Sequence, residues 1–341
     1  MSEPENSPGD ASASGSSQGI TTQETPCGLC GSADAEVLFD AVDRLHDVQG
    51  SFRYVRCRQC GLVYMNPQVT PECIGLLYPP EYAPHADGAK AARKGLRSLR
   101  ERLSEIPFVG PMFRAATDPR ALGPVLRELG AGKRLLDVGC GNGSFLNAMR
   151  RRTGCEVQGV DLSPAAVEQA RRLYGLDVFQ GMVAQAPFGE GAFDVVTAWW
   201  YLEHVPDPQV CVGKMAKLLK DGGLCVIGVP NFDSCWARAF RDKWYHLDCP
   251  RHLCIWTPGA IRRLLADHGL SVTAISYDRT PWGLLGSLQY YLYGDNRNPA
   301  HRNRIRHSAL LWLLGLPLTL LISLLHRSDI MTVVAKKGAK E

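Results

Sequence analysis

The sequence predicts an α/β fold, in which a largely parallel sheet is flanked by helices. A small cysteine-rich module precedes it, and an apolar helical insertion lies near the C-terminal end. Three observations support this prediction. A glycine-rich turn, "LLDVGCGNGSFL", joins a buried-strand pattern to a helical pattern at residues 135–146. Two C-x-x-C pairs lie within residues 27–60, and residues 308–325 contain no charge.

Composition and the N-terminal tail set the broad class of the protein. The 341 residues are enough to bury a full core and to form more than one module. A charged fraction of 21% and a formal net charge of +4 are ordinary and do not favour a nucleic-acid partner. Residues 1–25 are rich in Ser, Gly, Pro and Glu and are predicted to be disordered. They lack the pattern of a signal peptide, which predicts a cytoplasmic protein.

The next predicted module, residues 26–80, is a zinc ribbon. Its two C-x-x-C pairs supply Cys27, Cys30, Cys57 and Cys60, four thiolates with the spacing of a tetrahedral structural zinc site. Such a closed site holds a fold and performs no chemistry. The alternatives are a metal-free pair of turns and a redox dithiol.

Residues 81–120 are predicted to be linker helices. Basic residues recur on one helical face of this segment, at Lys90, Arg93, Lys94, Arg97, Arg100 and Arg102. They are interpreted as a solvated face, with an anion-binding surface as the alternative.

The glycine turn predicts a nucleoside site. Gly139, Gly141 and Gly143 follow a buried strand, and Asp161 ends the next strand 22 residues after Gly139. This is the layout of a Rossmann-like βαβ unit, in which the acid accepts hydrogen bonds from ribose hydroxyls. Ser144 stands where a dinucleotide fingerprint requires its third glycine, so the pattern is D-x-G-x-G-x-G, beginning at Asp137.

With these motifs the sequence resembles the class I S-adenosylmethionine-dependent methyltransferases, in particular the group with a cysteine ribbon in front. The resemblance covers roughly residues 115–280 and the last dozen, and it implies a Rossmann-like seven-stranded sheet within a domain of residues 121–341. The sixth strand is expected at 270–278 and an antiparallel seventh at 329–337. The implied cofactor is S-adenosylmethionine.

The resemblance also implies how the cofactor is held. The glycine turn admits the methionine and ribose, Asp137 orients the loop and the amino end of the cofactor, and Asp161 holds the ribose. Further contacts are implied at Leu162, Met182, Val183 and Trp199. Relatives often carry an acid where Met182 stands, so adenine recognition is expected from backbone groups and from apolar contacts of Met182 and Val183.

Two polar clusters mark the acceptor side. "LEHV" matches the family element beside the transferring methyl group, and His204 in it is the candidate general base. "DCPRHLCIW" resembles a family element over the active-site mouth, with Arg251 as a candidate anion-binding residue and His252 as a second catalytic candidate. The structural alternatives are that Glu203 and His204 orient the loop, that Asp248 and Arg251 pair with each other, and that His252 is a satisfied buried histidine.

The apolar insertion, residues 281–328, interrupts the end of the predicted sheet. Residues 308–325 are a marginal membrane span by length, and Arg297, Arg302, Arg304 and Arg306 precede them. A single membrane crossing would place the last β-strand on the opposite side of the membrane from the sheet that it has to join. Gly315 and Pro317 are therefore expected to break the run into a shallow hairpin. Residues 297–326 are expected to contact the inner face of the cytoplasmic membrane, or else a protein partner such as a second copy of the chain.

Taken together, the sequence predicts a methyltransferase acting on a small-molecule or glycan acceptor, with a sugar nucleotide or lipid-linked saccharide favoured. One alternative is an RNA or protein methyltransferase that uses the ribbon to bind its substrate. The N/D-P-P-Y/F element of base N-methylation is replaced by "WWYL" after the fourth strand. The other alternative is a scaffold that binds the cofactor without turnover.

Overall fold

The structure is a computed structural model that describes residues 19–78, 122–294, 304–306 and 308–338. Most of the predicted tail, the linker helices of residues 81–120 with their basic face, and Arg297 and Arg302 lie outside the described residues.

A seven-stranded sheet forms the centre of the larger domain. Its strands are β6 (Arg134–Val138), β7 (Glu156–Asp161), β8 (Asp177–Gln180), β9 (Phe193–Trp199), β10 (Leu219–Pro230), β12 (Leu270–Tyr277) and β13 (Ile330–Lys337). They lie in the order β12-β13-β10-β9-β6-β7-β8. The pairs from β10 to β8 are parallel, whereas β13 is antiparallel to both of its neighbours. The predicted fold class, including the antiparallel seventh strand, is confirmed.

Helices connect the strands, and side-chain caps define where several of them begin. The described helices are α1 (Leu122–Glu128), α2 (Ser144–Thr153), α3 (Pro164–Tyr174), α4 (Pro208–Leu218), α5 (Cys235–Phe240), α6 (Pro258–Asp267), α7 (Trp282–Tyr293) and α8 (Ala309–Leu324). The side chain of Ser163 accepts a hydrogen bond from the Ala166 amide, and Pro164 occupies the first turn of α3. Short 3₁₀ turns lie at Pro71–Leu77, Val183–Gln185, Arg241–Lys243 and Tyr245–Leu247.

The ribbon packs directly against the larger domain and shares a sheet with it. Its strands are β1 (Thr22–Gln23), β2 (Ala35–Ala41), β3 (Phe52–Cys57), β4 (Val63–Met65) and β5 (Gln68–Val69). The sheet of β2, β3 and β4 gains a fourth strand, β11 (Cys254–Ile255), from the chain of the larger domain. Tyr54 and Val63 of the ribbon share one buried cluster with Phe232 and Trp244. The two modules therefore have a continuous core.

The insertion departs from the predicted geometry. Gly315 and Pro317 do not break the apolar run, because α8 continues through both residues. A proline removes only one backbone donor, and α8 continues past Pro317 as one helix of 16 residues. The hairpin forms instead between α7 and α8, which contact each other. Within the described ranges, neither of these helices nor any other combines the length and apolar character needed to cross a bilayer.

Candidate active site

The glycine turn after β6 brings backbone close to its neighbours at two points and leaves one point open. Gly139 and Gly143 both have φ of +74°. A Cβ at Gly139 would meet the Tyr201 ring at 2.5 Å, and one at Gly143 would meet Leu176 at 2.4 Å. A Cβ at Gly141 would meet nothing within 4 Å. The turn is thus packed against protein on one side and open at Gly141, as a turn that receives a ligand must be.

The two predicted acids lie at the carboxyl ends of adjacent parallel strands. Asp161 accepts hydrogen bonds from the Gly141 amide at 2.7 Å and the Ser163 amide at 2.9 Å, which fixes the shape of the glycine turn. Asp137 accepts a hydrogen bond from the Thr197 hydroxyl at 2.7 Å. Burial, together with repulsion from Asp161, raises the pKa of Asp137 to about 7. A cationic amino group beside it would return Asp137 to its charged form.

Exposed apolar side chains follow the two strands at the end of the sheet. Leu162 is 63% exposed and Met182 is 40% exposed, although both are large and apolar. They stand just beyond the paired residues Asp161 and Gln180. Val183, in contrast, is buried in the main core, where its side chain packs against protein. Both cofactor contacts stay predictions: the exposure of Met182 suits an apolar contact, whereas Val183 would offer its backbone.

Trp199 is the last residue of β9, and its indole ring packs against neighbouring residues. Its indole meets the Phe145 ring edge-on at 5.6 Å, and a Cβ at Gly228 would meet the same indole at 2.7 Å. Among the described residues its buried Nε1 has no hydrogen-bond partner. A buried indole N–H without a partner is costly, which makes this donor a candidate for a ligand contact.

The four ribbon cysteines form the geometry of a metal site. Their sulfur atoms all lie within 4.8 Å of one another, with Cys27 and Cys60 at 3.4 Å and Cys30 and Cys57 at 3.5 Å. Four sulfurs around zinc at bonds of about 2.3 Å lie about 3.8 Å apart, so this donor set fits the ion. The two loops have the same backbone conformation. In each loop, the backbone carbonyl of the first cysteine accepts a hydrogen bond from the amide of the glycine four residues later, at 2.8 and 2.9 Å.

His204 lies between the ribbon and the larger domain. Its Nδ1 is 3.0 Å from the carbonyl oxygen of Arg251 and 3.0 Å from the Tyr78 hydroxyl. A carbonyl only accepts, so we assign the ring proton to Nδ1 and the lone pair to Nε2. Burial lowers the pKa of His204, which keeps the ring neutral. The arrangement suits a general base acting through Nε2.

Arg251 does not meet the expectation that it binds an acceptor anion. Its guanidinium is fully buried and pairs with Asp43 of the ribbon at 2.8 Å and with Asp248 at 2.8 Å. Although burial opposes ionisation, Arg251 lowers the pKa of Asp248 to about 2 and also lowers the pKa of Asp43. The side chain also donates to the carbonyl of Leu77 at 3.3 Å. Arg251 therefore joins the ribbon to the larger domain.

His252 and Glu203 form a buried, uncharged pair behind His204. His252 lies edge-on to His204 with ring centroids 4.7 Å apart, and its Nδ1 donates to the carbonyl of His246 at 2.9 Å. Burial and the neighbouring His204 lower the pKa of His252 to about 3. Its Nε2 is 3.9 Å from a carboxyl oxygen of Glu203. Burial raises the pKa of Glu203 to about 8, and neither of its side-chain oxygens has a partner among the described residues.

Three residues of this site were missed by the sequence reasoning. Tyr78 and Asp43 come from the ribbon, and no local motif links them to His204 or Arg251, which lie 126 and 208 positions away. Trp200 was part of the quoted "WWYL" but was given no role. It has φ of +55°, is 44% exposed and stacks on His246 with ring centroids 5.6 Å apart. A bulky residue in the left-handed region at a strand end is a signal of a functional site.

Comparison with known families matches part of the chain. Residues 108–275 match the model of a methyltransferase domain. Proteins similar in sequence include ubiquinone biosynthesis O-methyltransferases from Alkalilimnicola ehrlichii, 40% identical over 123 residues, and from Pectobacterium atrosepticum, 42% identical over 124 residues. These alignments cover 33% and 34% of this chain and 49% and 51% of the relatives. The chain thus spans about half the length of these relatives.

Solved structures with a similar fold include a putative sarcosine dimethylglycine methyltransferase from Galdieria sulphuraria, 16% identical with a TM-score of 0.48, covering 66% of this chain and 88% of that chain. A geranyl diphosphate C-methyltransferase from Streptomyces coelicolor is 20% identical with a TM-score of 0.44, covering 64% of this chain and 77% of that chain.

Proposed function

We propose that this chain, whose residues 108–275 match the model of a methyltransferase domain, transfers a methyl group from S-adenosylmethionine to a small-molecule acceptor. The observation that carries the proposal is the glycine turn, open at Gly141 and fixed by Asp161, which stands on the same sheet edge as the loop bearing His204. The bound sulfonium supplies an activated methyl group, so the protein has to position the reactants and exclude water.

Different residues near the glycine turn are proposed to bind different parts of the cofactor. Asp161 would accept from the ribose hydroxyls through its remaining lone pairs, and Asp137 would take the amino end. Leu162 and Met182 would cover the adenine, and the Trp199 indole N–H is available as a donor nearby. Removing these exposed apolar side chains from water is a favourable contribution to binding.

His204 is proposed as the base that removes the acceptor proton. The carbonyl of Arg251 and the Tyr78 hydroxyl hold Nδ1, so Nε2 is the atom that takes the proton. His252 and Glu203 lie beside this ring and are both uncharged, so neither of them forms an ion pair with the imidazole of His204. His252 therefore has a positioning role in this proposal, and Arg251 acts through Asp43, Asp248 and its own carbonyl.

The proposed acceptor is a sugar nucleotide or lipid-linked saccharide. Support comes from the exposed indole of Trp200, since an apolar ring face beside polar groups suits the face of a sugar or another ring. The relatives named for ubiquinone biosynthesis also support a small molecule over an RNA or a protein acceptor.

The ribbon is proposed to hold one structural zinc ion on Cys27, Cys30, Cys57 and Cys60. The ion would stabilise the loops that carry Asp43 and Tyr78 to the active site. Residues 297–326 are proposed to face a partner, for which a membrane surface and a second copy of the chain are the candidates.

A transfer assay with a labelled methyl group tests the proposed activity. Nucleotide sugars, lipid-linked saccharides, RNA and protein would be offered in parallel to the wild type and to Asp161→Ala. We expect label in the first two classes only, and only with the wild type. Label in RNA or protein would contradict the acceptor class, and binding of the cofactor without label in any class would favour the scaffold alternative.

A further inference from the structure

Helix α8 exposes a row of large apolar side chains. Six leucines on its outer side are between 44% and 73% exposed: Leu310, Leu314, Leu318, Leu321, Leu324 and Leu325 just past its end. We call these the leucine stripe. The inner side of the helix buries Gly315, Thr319 and Ser323 together with Leu316 and Ile322. A surface helix in water carries polar or charged side chains on its outer side, whereas the outer side of α8 carries leucines.

Hydrogen bonds hold this arrangement in place. The Thr319 hydroxyl donates to the carbonyl of Arg279 at 3.0 Å, and the Ser323 hydroxyl donates to the carbonyl of Tyr277 at 3.2 Å. A Cβ at Gly315 would meet Pro281 at 3.0 Å, so the backbones approach closely there. Small residues four apart with hydroxyl bonds to a neighbour are how helices pack inside membranes. The leucine stripe cannot turn inward without breaking these contacts.

The end of α7 also exposes large apolar side chains. Tyr291 is 62% exposed and Leu292 is 56% exposed, and α7 contacts α8. Neither helix contains a charged residue. Tyrosine beside leucine is typical of surfaces that lie at a membrane interface, where the ring is half in lipid and half in water.

Positive charge is concentrated in the segment of sequence that contains these two helices. Residues 279–328 contain six arginines and one aspartate, a formal charge of +5, whereas the whole chain carries +4. The remaining residues therefore sum to −1, close to neutral. Among the described residues, Arg304 and Arg327 are exposed and lie before and after α8. Arg327 also donates to the carbonyl of Asp233 at 3.1 Å, and Arg306 is engaged with Tyr245 and Trp282.

We propose that the leucine stripe and the end of α7 dock onto an anionic lipid surface. An apolar strip between basic ends matches the acyl and phosphate layers of such a surface. A symmetric contact between two copies would instead bring the basic residues that flank α8 towards those of the other copy, which is repulsive. This inference does not depend on which acceptor is methylated.

The docking surface packs against the part of the site that contains His246 and Trp200, where the acceptor is proposed to bind. The Tyr245 amide donates to the Ser287 hydroxyl of α7 at 2.9 Å, and Tyr245 leads into His246, on which Trp200 stacks. A Cβ at Gly286 would meet the Tyr245 ring at 2.4 Å. The membrane-facing helices and the acceptor side are thus one packed unit, which under the proposed function suits an acceptor held in the membrane.

Vesicle sedimentation tests the docking surface with the full chain. Sucrose-loaded vesicles would be made of phosphatidylcholine alone or of an equal mixture with phosphatidylglycerol. We expect the wild type to sediment with the mixed vesicles and poorly with phosphatidylcholine alone. Leu314→Glu with Leu321→Glu should lower binding at least tenfold. Leu76→Glu with Leu173→Glu, a pair of exposed leucines off the stripe, is the matched control and should bind like the wild type.

The proposal would be overturned if the wild type bound neither kind of vesicle, or if the stripe variant bound as well as the control. Sedimentation equilibrium without lipid identifies the competing partner: a dimer that Leu314→Glu with Leu321→Glu dissociates would assign the surface to a second copy. Binding of S-adenosylhomocysteine, measured on every variant, shows that the fold is intact. Its loss in the wild type would contradict the proposed function and leave the docking result standing.

Discussion

The Nδ1 atom of His204 lies 3.0 Å from the backbone carbonyl oxygen of Arg251. The same arginine pairs through its side chain with Asp43 of the ribbon. One residue therefore orients the proposed base through its main chain and anchors the ribbon through its side chain. The described structure links the ribbon to the proposed base by this route, and the predictions below test its parts.

Loss of the imidazole should remove the base without removing the cofactor site. We expect His204→Ala to lower kcat by about 10²–10⁴-fold, the usual contribution of a positioned base, with little change in S-adenosylhomocysteine affinity. Because burial lowers the pKa of His204 below its ordinary 6.5, activity should rise with pH and level off through an apparent pKa under that value. Steady-state kinetics across pH would measure both.

The control for this experiment is His268→Ala, since His268 bonds Gln209 away from the site. Unchanged kcat in His204→Ala would leave the residue with a purely structural role. An apparent pKa above 6.5 would contradict the assigned environment.

The buried pair of Arg251 and Asp43 should be essential for stability. Asp43→Asn leaves a buried arginine with less compensation, and we expect the free energy of unfolding to fall by about 3–5 kcal/mol. Asp40→Asn breaks an exposed pair with Arg53 and should cost about 0–1 kcal/mol. Urea unfolding of both variants measures the difference, and equal losses would contradict the burial argument.

Acid should weaken the same network. The folded-state pKa of Asp248 is lowered to about 2, below the roughly 3.9 of an unfolded aspartate, and the pKa of Asp43 is lowered as well. Their stabilisation is present above the unfolded pKa and is lost as pH falls from about 4 towards 2. Unfolding free energies measured over this range should fall more steeply for the wild type than for Asp43→Asn. Parallel curves would count against the assignment.

Glu203 should show the opposite pH dependence. Its folded pKa, about 8, lies above the roughly 4.3 of an unfolded glutamate, so stability falls as pH rises between these values. Glu203→Gln keeps the shape and removes the charge. Its stability relative to the wild type should therefore increase by several kcal/mol between pH of about 4 and 8. Urea unfolding at several pH values measures this, and a difference independent of pH would show that Glu203 is not a buried neutral acid.

Metal removal should affect more than the ribbon. Cys57→Ser should lose one equivalent of zinc and lower the melting temperature of the whole chain, because β11 belongs to the ribbon sheet and the cores are continuous. Cys73→Ser, a buried ribbon cysteine outside the cluster, should keep the metal. Metal analysis and thermal melts provide the readouts. Absence of zinc from the wild type as well would contradict the proposed site.

Local patterns were enough to predict part of this architecture. The glycine turn, Asp161 and the cysteine pairs are readable because each is confined to a few neighbouring positions with a fixed spacing. The pairing of Arg251 with Asp43 was not readable, because 208 positions separate the two residues and the ribbon's placement brings them together. The polar side chains in the run from 308 to 325 are all hydroxyls, which occur on buried and on exposed faces, so the sequence did not show which face of the helix would be buried. The buried side of the helix is the one on which Thr319 and Ser323 donate hydrogen bonds to the backbone carbonyls of Arg279 and Tyr277.

Calorimetric titration of S-adenosylhomocysteine into the wild type, Asp161→Ala and the surface control Glu190→Ala tests the central claim most directly. The account predicts binding in the micromolar range to the wild type and to Glu190→Ala, and loss of binding in Asp161→Ala while its melting curve stays cooperative. Equal affinity in Asp161→Ala, or absence of binding to the folded wild type, would contradict the assignment of the glycine turn as the cofactor site.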